Sequence, residues 1–282
     1  MNQEQSTITP VPSTPSDLAR ARFLASEGEA RFVCEWPRVL FVHYEVEREV
    51  LQRQVPFELE PFEEKAVVSL VAFTMRGFRP RWGGRLTAWL AWPVATNHFF
   101  NVRTYVRHRG ESGVFFMRQW LSHPLCLTAR LPGLRLPWDW GRMLYEHRHE
   151  VGRLEGHVLA ARTARLSYSA SIEPGAEFAP SSPESLAQFC LERYTAFAHR
   201  GRKAVVLRIW HQPWPQCPVQ VALEDGRLLA QTGEWLQHAR FLGANYSVGL
   251  REVWMGAVRA LKESADSGKP RWTYGEQESK CT

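Results

Sequence analysis

The segment from Phe99 to Leu121 constrains this chain most. It holds two runs rich in β-branched and aromatic residues, FFNVRTYVR and GVFFMRQWL, separated by Arg109-Gly110-Glu111-Ser112-Gly113. Such runs suit a pleated, half-buried surface, and a short Gly-containing break between them reads as a hairpin. Extended patterns recur at 38–46, 59–62, 66–73, 143–150, 156–161, 164–171, 203–210, 219–224 and 246–254. Helical spacing is confined to three places. Ser16-Asp17 can cap a helix to about Ser26, residues 47–54 offer a brief one that must end near Pro56, and Ser182-Pro183-Glu184 opens one expected to run to Ala198. In the last, Leu186, Phe189-Cys190, Arg193-Tyr194 and Phe197 recur at i, i+3, i+4. Many strands and few helices predict a mainly β (α+β) fold, a curved antiparallel sheet closing into a barrel with a few peripheral helices.

Composition narrows the function classes. The most apolar stretch, 86–94, is far shorter than the roughly 20 residues that span a bilayer, so no membrane association is expected. Residues 1–17 are polar and rich in Pro, Ser and Thr, without the basic start and apolar centre of a secretory signal. Five scattered cysteines with no C-x-x-C pair indicate neither a disulfide framework nor a zinc site, and a reducing cytoplasm is the expected compartment. Of the 35 basic residues only Lys65, Lys203, Lys262, Lys269 and Lys280 are lysines, which leaves 30 arginines. Guanidinium groups match carboxylates bidentately and stay protonated, so a small organic anion is a candidate partner, against the plainer reading of a compositional bias with most arginines on a solvated surface. The arginines form no stripe, which argues against nucleic acid. No motif implies a cofactor, and oligomeric state is not legible. Residues 1–15 and 263–282 read as polar tails around a single domain spanning 16–262.

Several segments in order, VLFVHYEVEREVLQRQVPFELEPF, VVSLVAFTMRGFRPR, FNVRTYVRHRGESGVFF, PESLAQFCLERYTAF and HQPWPQCPV, together resemble the YqjF-like family of the acetoacetate decarboxylase-like superfamily over roughly residues 35–255. The resemblance implies a closed or cone-like antiparallel barrel around a pocket. It also implies that a decarboxylase of this kind would carry a buried Schiff-base lysine, with a pKa lowered by burial or a neighbouring cation, shortly after the hairpin. Residues 118–140 contain no lysine, and arginine cannot serve as the amine. This chain also has Phe99 two positions before Asn-Val-Arg, where relatives often carry an acid, and MRQWL where they tend to a small, acidic run.

Strand alternation groups Asn101, Arg103 and Tyr105 on one face, so that Arg103 could hold a carboxylate with Tyr105 donating to it. Periodicity does not say whether that face lines the barrel or meets solvent. In the paired strand, Phe116, Arg118 and Trp120 alternate similarly. Their cation among aromatics could bind an anion or simply stack. His147 and His149, with His157 across a turn, are the weak candidates for a metal site, against a solvated or hydrogen-bonded role. His211 falls in a proline-rigid connection, and His43, His123 and His238 lack a partner that would complete a triad. Trp82, Trp89 and Trp92 lie in a stretch that could be a lid, core or partner surface. The leading expectation is an anion-binding cavity lined by arginine and aromatics, without Schiff-base decarboxylase activity. The alternatives are a non-catalytic protein with a filled barrel and, more distantly, a His-dependent metal hydrolase.

Overall fold

In a computed structural model of the chain, Arg109 and Gly110 both take positive φ, 51° and 78°. This is the conformation of the primed two-residue turns whose twist matches paired strands. The hairpin is therefore tighter than the five-residue break suggested, and pairing reaches His108 and Glu111. The structure describes residues 14–25, 30–82, 95–125, 138–160, 163–200 and 203–261. The expected tail residues 1–13 and 263–282 lie outside these, as do Trp89, Trp92 and residues 126–137.

The elements are α1 (Pro15–Ala25), β1 (Phe32–Val46), α2 (Arg48–Gln52), β2 (Glu58–Leu59), β3 (Ala66–Pro80), β4 (Asn97–His108), β5 (Glu111–Leu121), β6 (Trp138–Trp140), β7 (Arg142–Arg148), β8 (Arg153–Ala160), β9 (Ala164–Ser171), α3 (Leu186–Leu191), β10 (Thr195–Arg200), β11 (Lys203–His211), β12 (Gln216–Pro218), β13 (Gln220–Gly226), β14 (Arg240–Met255) and β15 (Arg259–Ala260). The mainly β prediction is met by a curved sheet in which β14, β1, β3, β4, β5, β10 and β11 pair in turn, and β11 returns to β14 to close a ring of seven strands. Pairing is antiparallel except that β5 meets both β10 and β6 in parallel. A second sheet, ordered β13-β9-β8-β7, is antiparallel throughout.

The helix expected over 182–198 is much shorter. Its N-cap is Ser185, whose hydroxyl accepts from the Gln188 N–H at 3.1 Å, and it stops at Leu191. Residues 195–200 instead form β10, because the ring cannot close without a strand between β5 and β11. Gly113 makes the approach possible: a Cβ there would lie 2.6 Å from the Thr195 carbonyl and 2.7 Å from the Phe197 ring. Tertiary pairing overrides the helical spacing of Tyr194 and Phe197.

Each ring strand alternates between two buried layers. Phe41, Val71, Tyr105, Val114, Ala196, Ile209 and Val253, one from each strand, share a single cluster with Cys190 and Leu191 of α3 and with Trp214, which marks the inside of the ring. The opposite parity, including Leu40, Leu70, Phe100 and Trp120, packs outside against Leu154, Val158, Leu166 and Tyr168 of the second sheet.

Outside the ring, α1 seats Ala19 and Phe23 against Trp210 and Trp254. Thr14 and Asp17 form a reciprocal cap: the Asp17 carboxylate accepts from the Thr14 N–H at 3.2 Å, and the Thr14 hydroxyl accepts from the Asp17 N–H at 3.2 Å. Replacing Thr14 by Ala should therefore cost about 1 kcal/mol, read as a lower urea midpoint at unchanged m-value. An unchanged midpoint would mean that the cap adds nothing to helix docking.

Candidate anion site inside the ring

The site is built by register. Ser69 of β3 pairs with Arg103 of β4 and with His43 of β1, while His43 pairs with Gly243 of β14 and Arg103 with Phe116 of β5. Directly paired residues project to the same face of a sheet, so one row crosses five strands on the inner side. Asn101 and Tyr105 flank Arg103 on that face, as the alternation predicted, and are 4% and 0% exposed.

Arg103 reaches inward. Its Nη2 donates to the Cys190 carbonyl at 2.9 Å, and its guanidinium carbon lies 5.6 Å from the centre of the Phe41 ring. The same carbonyl accepts from the Tyr105 hydroxyl at 3.3 Å. Tyr105 and Ser69 oxygens are 2.5 Å apart, and Ser69 Oγ lies 2.7 Å from His43 Nδ1. Within this group of side chains, Arg103 Nε, Asn101 Oδ1 and His43 Nε2 are buried without a hydrogen-bond partner. Asn245 lies beside His43, where its side chain favours the protonated imidazole against the effect of burial, and its amide nitrogen donates to the Gln216 side-chain oxygen at 2.6 Å.

Burial, followed by the nearby Arg103 charge, lowers the His43 pKa to about 3, so its imidazole is neutral at pH 7. Burial likewise pushes the Tyr105 hydroxyl above its usual range and Cys190 up to about 11. His211 joins the same interior. Burial lowers its pKa to about 4, its Nδ1 lies 2.7 Å from the Gln212 carbonyl, and its ring packs 4.7 Å from Tyr194 and 5.1 Å from Trp214, centre to centre.

Other expected candidates are placed elsewhere. The register between β4 and β5 slips after Val102, so Val102 faces Arg118 while Arg103 faces Phe116. This bulge breaks the expected shared face: Phe116 packs in the inner cluster and Trp120 in the outer one. Arg118 stacks 5.5 Å from the Trp120 ring centre, donates to Asp139 at 2.6 Å and to the Gln231 carbonyl at 2.8 Å, so it does not join Arg103.

The histidine trio is dispersed too. His147 is buried, with Nδ1 3.0 Å from the Arg38 carbonyl and Nε2 2.7 Å from the Tyr168 hydroxyl. His149 falls beyond β7 in a 3-10 turn, and His157 is exposed on the other face of β8. Among the described residues no three His, Cys, Asp or Glu side chains are placed to hold a metal. His147, His149 and His157 therefore do not converge on one point.

Lys65 is the one lysine whose side chain is described. It meets Glu45 at 3.9 Å and lies four residues along the chain from Ser69, about 13 Å in an extended strand. Two open grooves, of about 310 and 210 Å³, lie on the small sheet, lined by residues such as Leu144, His157, Leu159 and Ser169, away from the Arg103 row. No helix among the described residues is long and apolar enough to cross a membrane.

In three dimensions the chain is similar to acetoacetate decarboxylase from Legionella pneumophila subsp. pneumophila str. Philadelphia 1, with a TM-score of 0.58 at 10% identity over 83% of this chain and 88% of that one. It is also similar to the enduracididine biosynthesis enzyme MppR complexed with pyruvate, with a TM-score of 0.56 at 13% identity over 82% and 90% of the two chains. At such identities the likeness is one of fold. In sequence it is 25% identical over 182 residues to the uncharacterized protein YqjF of Bacillus subtilis (strain 168), covering 64% of this chain and 72% of YqjF. The expected YqjF-like kinship is thus met, and, with residues 33–245 matching the family described as an uncharacterized conserved protein, DUF2071, the chain belongs to that family.

Proposed function

We propose that the ring interior binds a small organic carboxylate at Arg103, without forming a Schiff base. The observation that carries this reading is the guanidinium turned into the ring with its Nε–H donor unpartnered. Arg103 is half-buried with its Nε sealed from solvent, a buried donor is costly unless it is met, and a carboxylate matches the guanidinium edge in charge and geometry. The fold-level neighbours lend support, since one is complexed with pyruvate and another is named for acetoacetate. The absence of lysine from residues 118–140, together with the position of Lys65 beside Glu45, speaks against an imine.

The competing reading is a filled, non-catalytic ring, favoured by aromatic packing such as Trp36 stacked 6.0 Å from Trp214. Calorimetric titration with pyruvate and acetoacetate separates the two. Wild type is expected to bind, and Arg103→Met, which keeps much of the volume, to bind about 10- to 100-fold more weakly with its fold retained. Borohydride added with acetoacetate should leave every lysine unmodified. No binding by wild type, or equal binding by the methionine variant, would remove the assignment.

A further inference from the structure

We propose that His43 is a proton-transfer residue for a short oxo acid held by Arg103, with Ser69 and Tyr105 positioning its imidazole. The inference rests on the anion reading above and adds a reaction to it. The Cys190 carbonyl can only accept, and it does so from Arg103 at 2.9 Å and from Tyr105 at 3.3 Å. With Tyr105 donating to that carbonyl, Ser69 donates to the Tyr105 oxygen and His43 Nδ1–H to Ser69. This polarity leaves Nε2 with its lone pair free, and Nε2 is the buried nitrogen without a partner.

Position matches the role. The Arg103 guanidinium and the His43 ring lie 5.6 and 6.5 Å from the Phe41 ring centre, so both border the same part of the interior. Across two antiparallel pairings their α-carbons are roughly 10 Å apart, a span in which the side chains can hold a two- to four-carbon acid between them. Gly243, the β14 partner of His43, has no heavy atom within 4 Å of where a side chain would project, which leaves room beside the imidazole.

The reaction is enolisation. The C–H bond next to the ketone of the bound acid breaks, its proton passes to Nε2, and its electron pair moves into the carbonyl to give an enolate. Reprotonation at carbon by the imidazolium reverses the step, so hydrogen exchanges with solvent and no oxidant or reductant is needed. Burial keeps the imidazole unprotonated at pH 7, and a carboxylate bound at Arg103 would offset the arginine charge that also lowers its basicity.

The test is proton NMR of pyruvate and of acetoacetate in D2O with the full-length protein, following loss of the C–H signals, alongside calorimetric affinities. Wild type is expected to speed exchange at least 100-fold over buffer. His43→Gln should retain affinity and lose the acceleration. Ser69→Ala should cut the rate about tenfold at unchanged affinity, the signature of a positioning residue. Gly243→Leu, which fills the space beside His43 while leaving both charged and titratable groups in place, should also slow exchange, and it guards against a folding defect in the His43 variant. Binding by wild type without accelerated exchange, or wild-type exchange rates in His43→Gln, overturns the relay and leaves the anion site standing. Absence of binding by wild type overturns the anion site and the relay with it.

Discussion

Lowering the pH from 7 to 5 is expected to remove several kcal/mol of folding stability, well before the carboxylates titrate. Three histidines are buried and neutral in the fold: His43, with a pKa of about 3, and His147 and His211, each about 4, in every case chiefly because burial disfavours the charged form. In the unfolded chain each titrates near 6.5. Between these limits the unfolded state binds more protons, so stability is full above about pH 6.5 and falls as pH drops towards the folded values. At pH 5 the linkage amounts to roughly 2 kcal/mol per histidine, a large share of the 5–15 kcal/mol typical of a domain. Urea titrations at pH 7 and 5 measure it. Replacing His211 by Gln should flatten the slope by about a third, and a pH-independent midpoint over this range would show that the imidazoles are not held neutral.

The elements that sequence made legible are those fixed by local rules. The hairpin follows from Arg109-Gly110 between alternating runs, and the inward face of Asn101, Arg103 and Tyr105 follows from strand period two once the ring gives that face an inside. Long-range register was not legible. His43 stood apart in the sequence because Ser69, 26 residues away, becomes its neighbour only when β1 and β3 pair at that register. Arg118 and Trp120 were grouped with Phe116 by a parity that one bulged residue in β5 reverses. His147 and His157 were joined by counting across a turn, although β7 and β8 pair His147 with Leu154 and His157 with Leu144 and turn the two imidazoles to opposite faces. The end of α3 escaped for a different reason: Tyr194 and Phe197 fit a helical period, but the open edges of β5 and β11 require a strand there. The pattern Gly113-x-Phe115 was the available hint, since a glycine within a strand marks a close backbone approach.

Replacing Gly249 by Ala should destabilise the protein by about 3–5 kcal/mol, whereas Gly243→Ala six residues earlier on the same strand should cost about 0.5 kcal/mol or less. Gly249 has φ of +108°, which a side chain adopts only under strain, and a Cβ there would meet the backbone of β1: the Trp36 carbonyl at 2.3 Å, the Pro37 α-carbon at 2.5 Å and the Arg38 nitrogen at 2.9 Å. These are main-chain atoms, so no rotamer change relieves the contact. The approach exists because β1 is irregular here, with slips against β14 between Cys34 and Trp36 and against β3 between Glu35 and Leu40, and with Arg38 itself at φ 58°. The kink also turns the Arg38 carbonyl to His147 Nδ1, whose Nε2 meets Tyr168, so the bulge ties the second sheet to the ring. Displacing it should leave a buried imidazole short of a partner and add to the direct steric cost. Gly243 meets nothing within 4 Å and has an ordinary φ, so its alanine variant controls for glycine removal in β14. Equal midpoints for the two variants in urea denaturation would mean that the kink in β1 relaxes freely, and that the contact between the sheets does not depend on it.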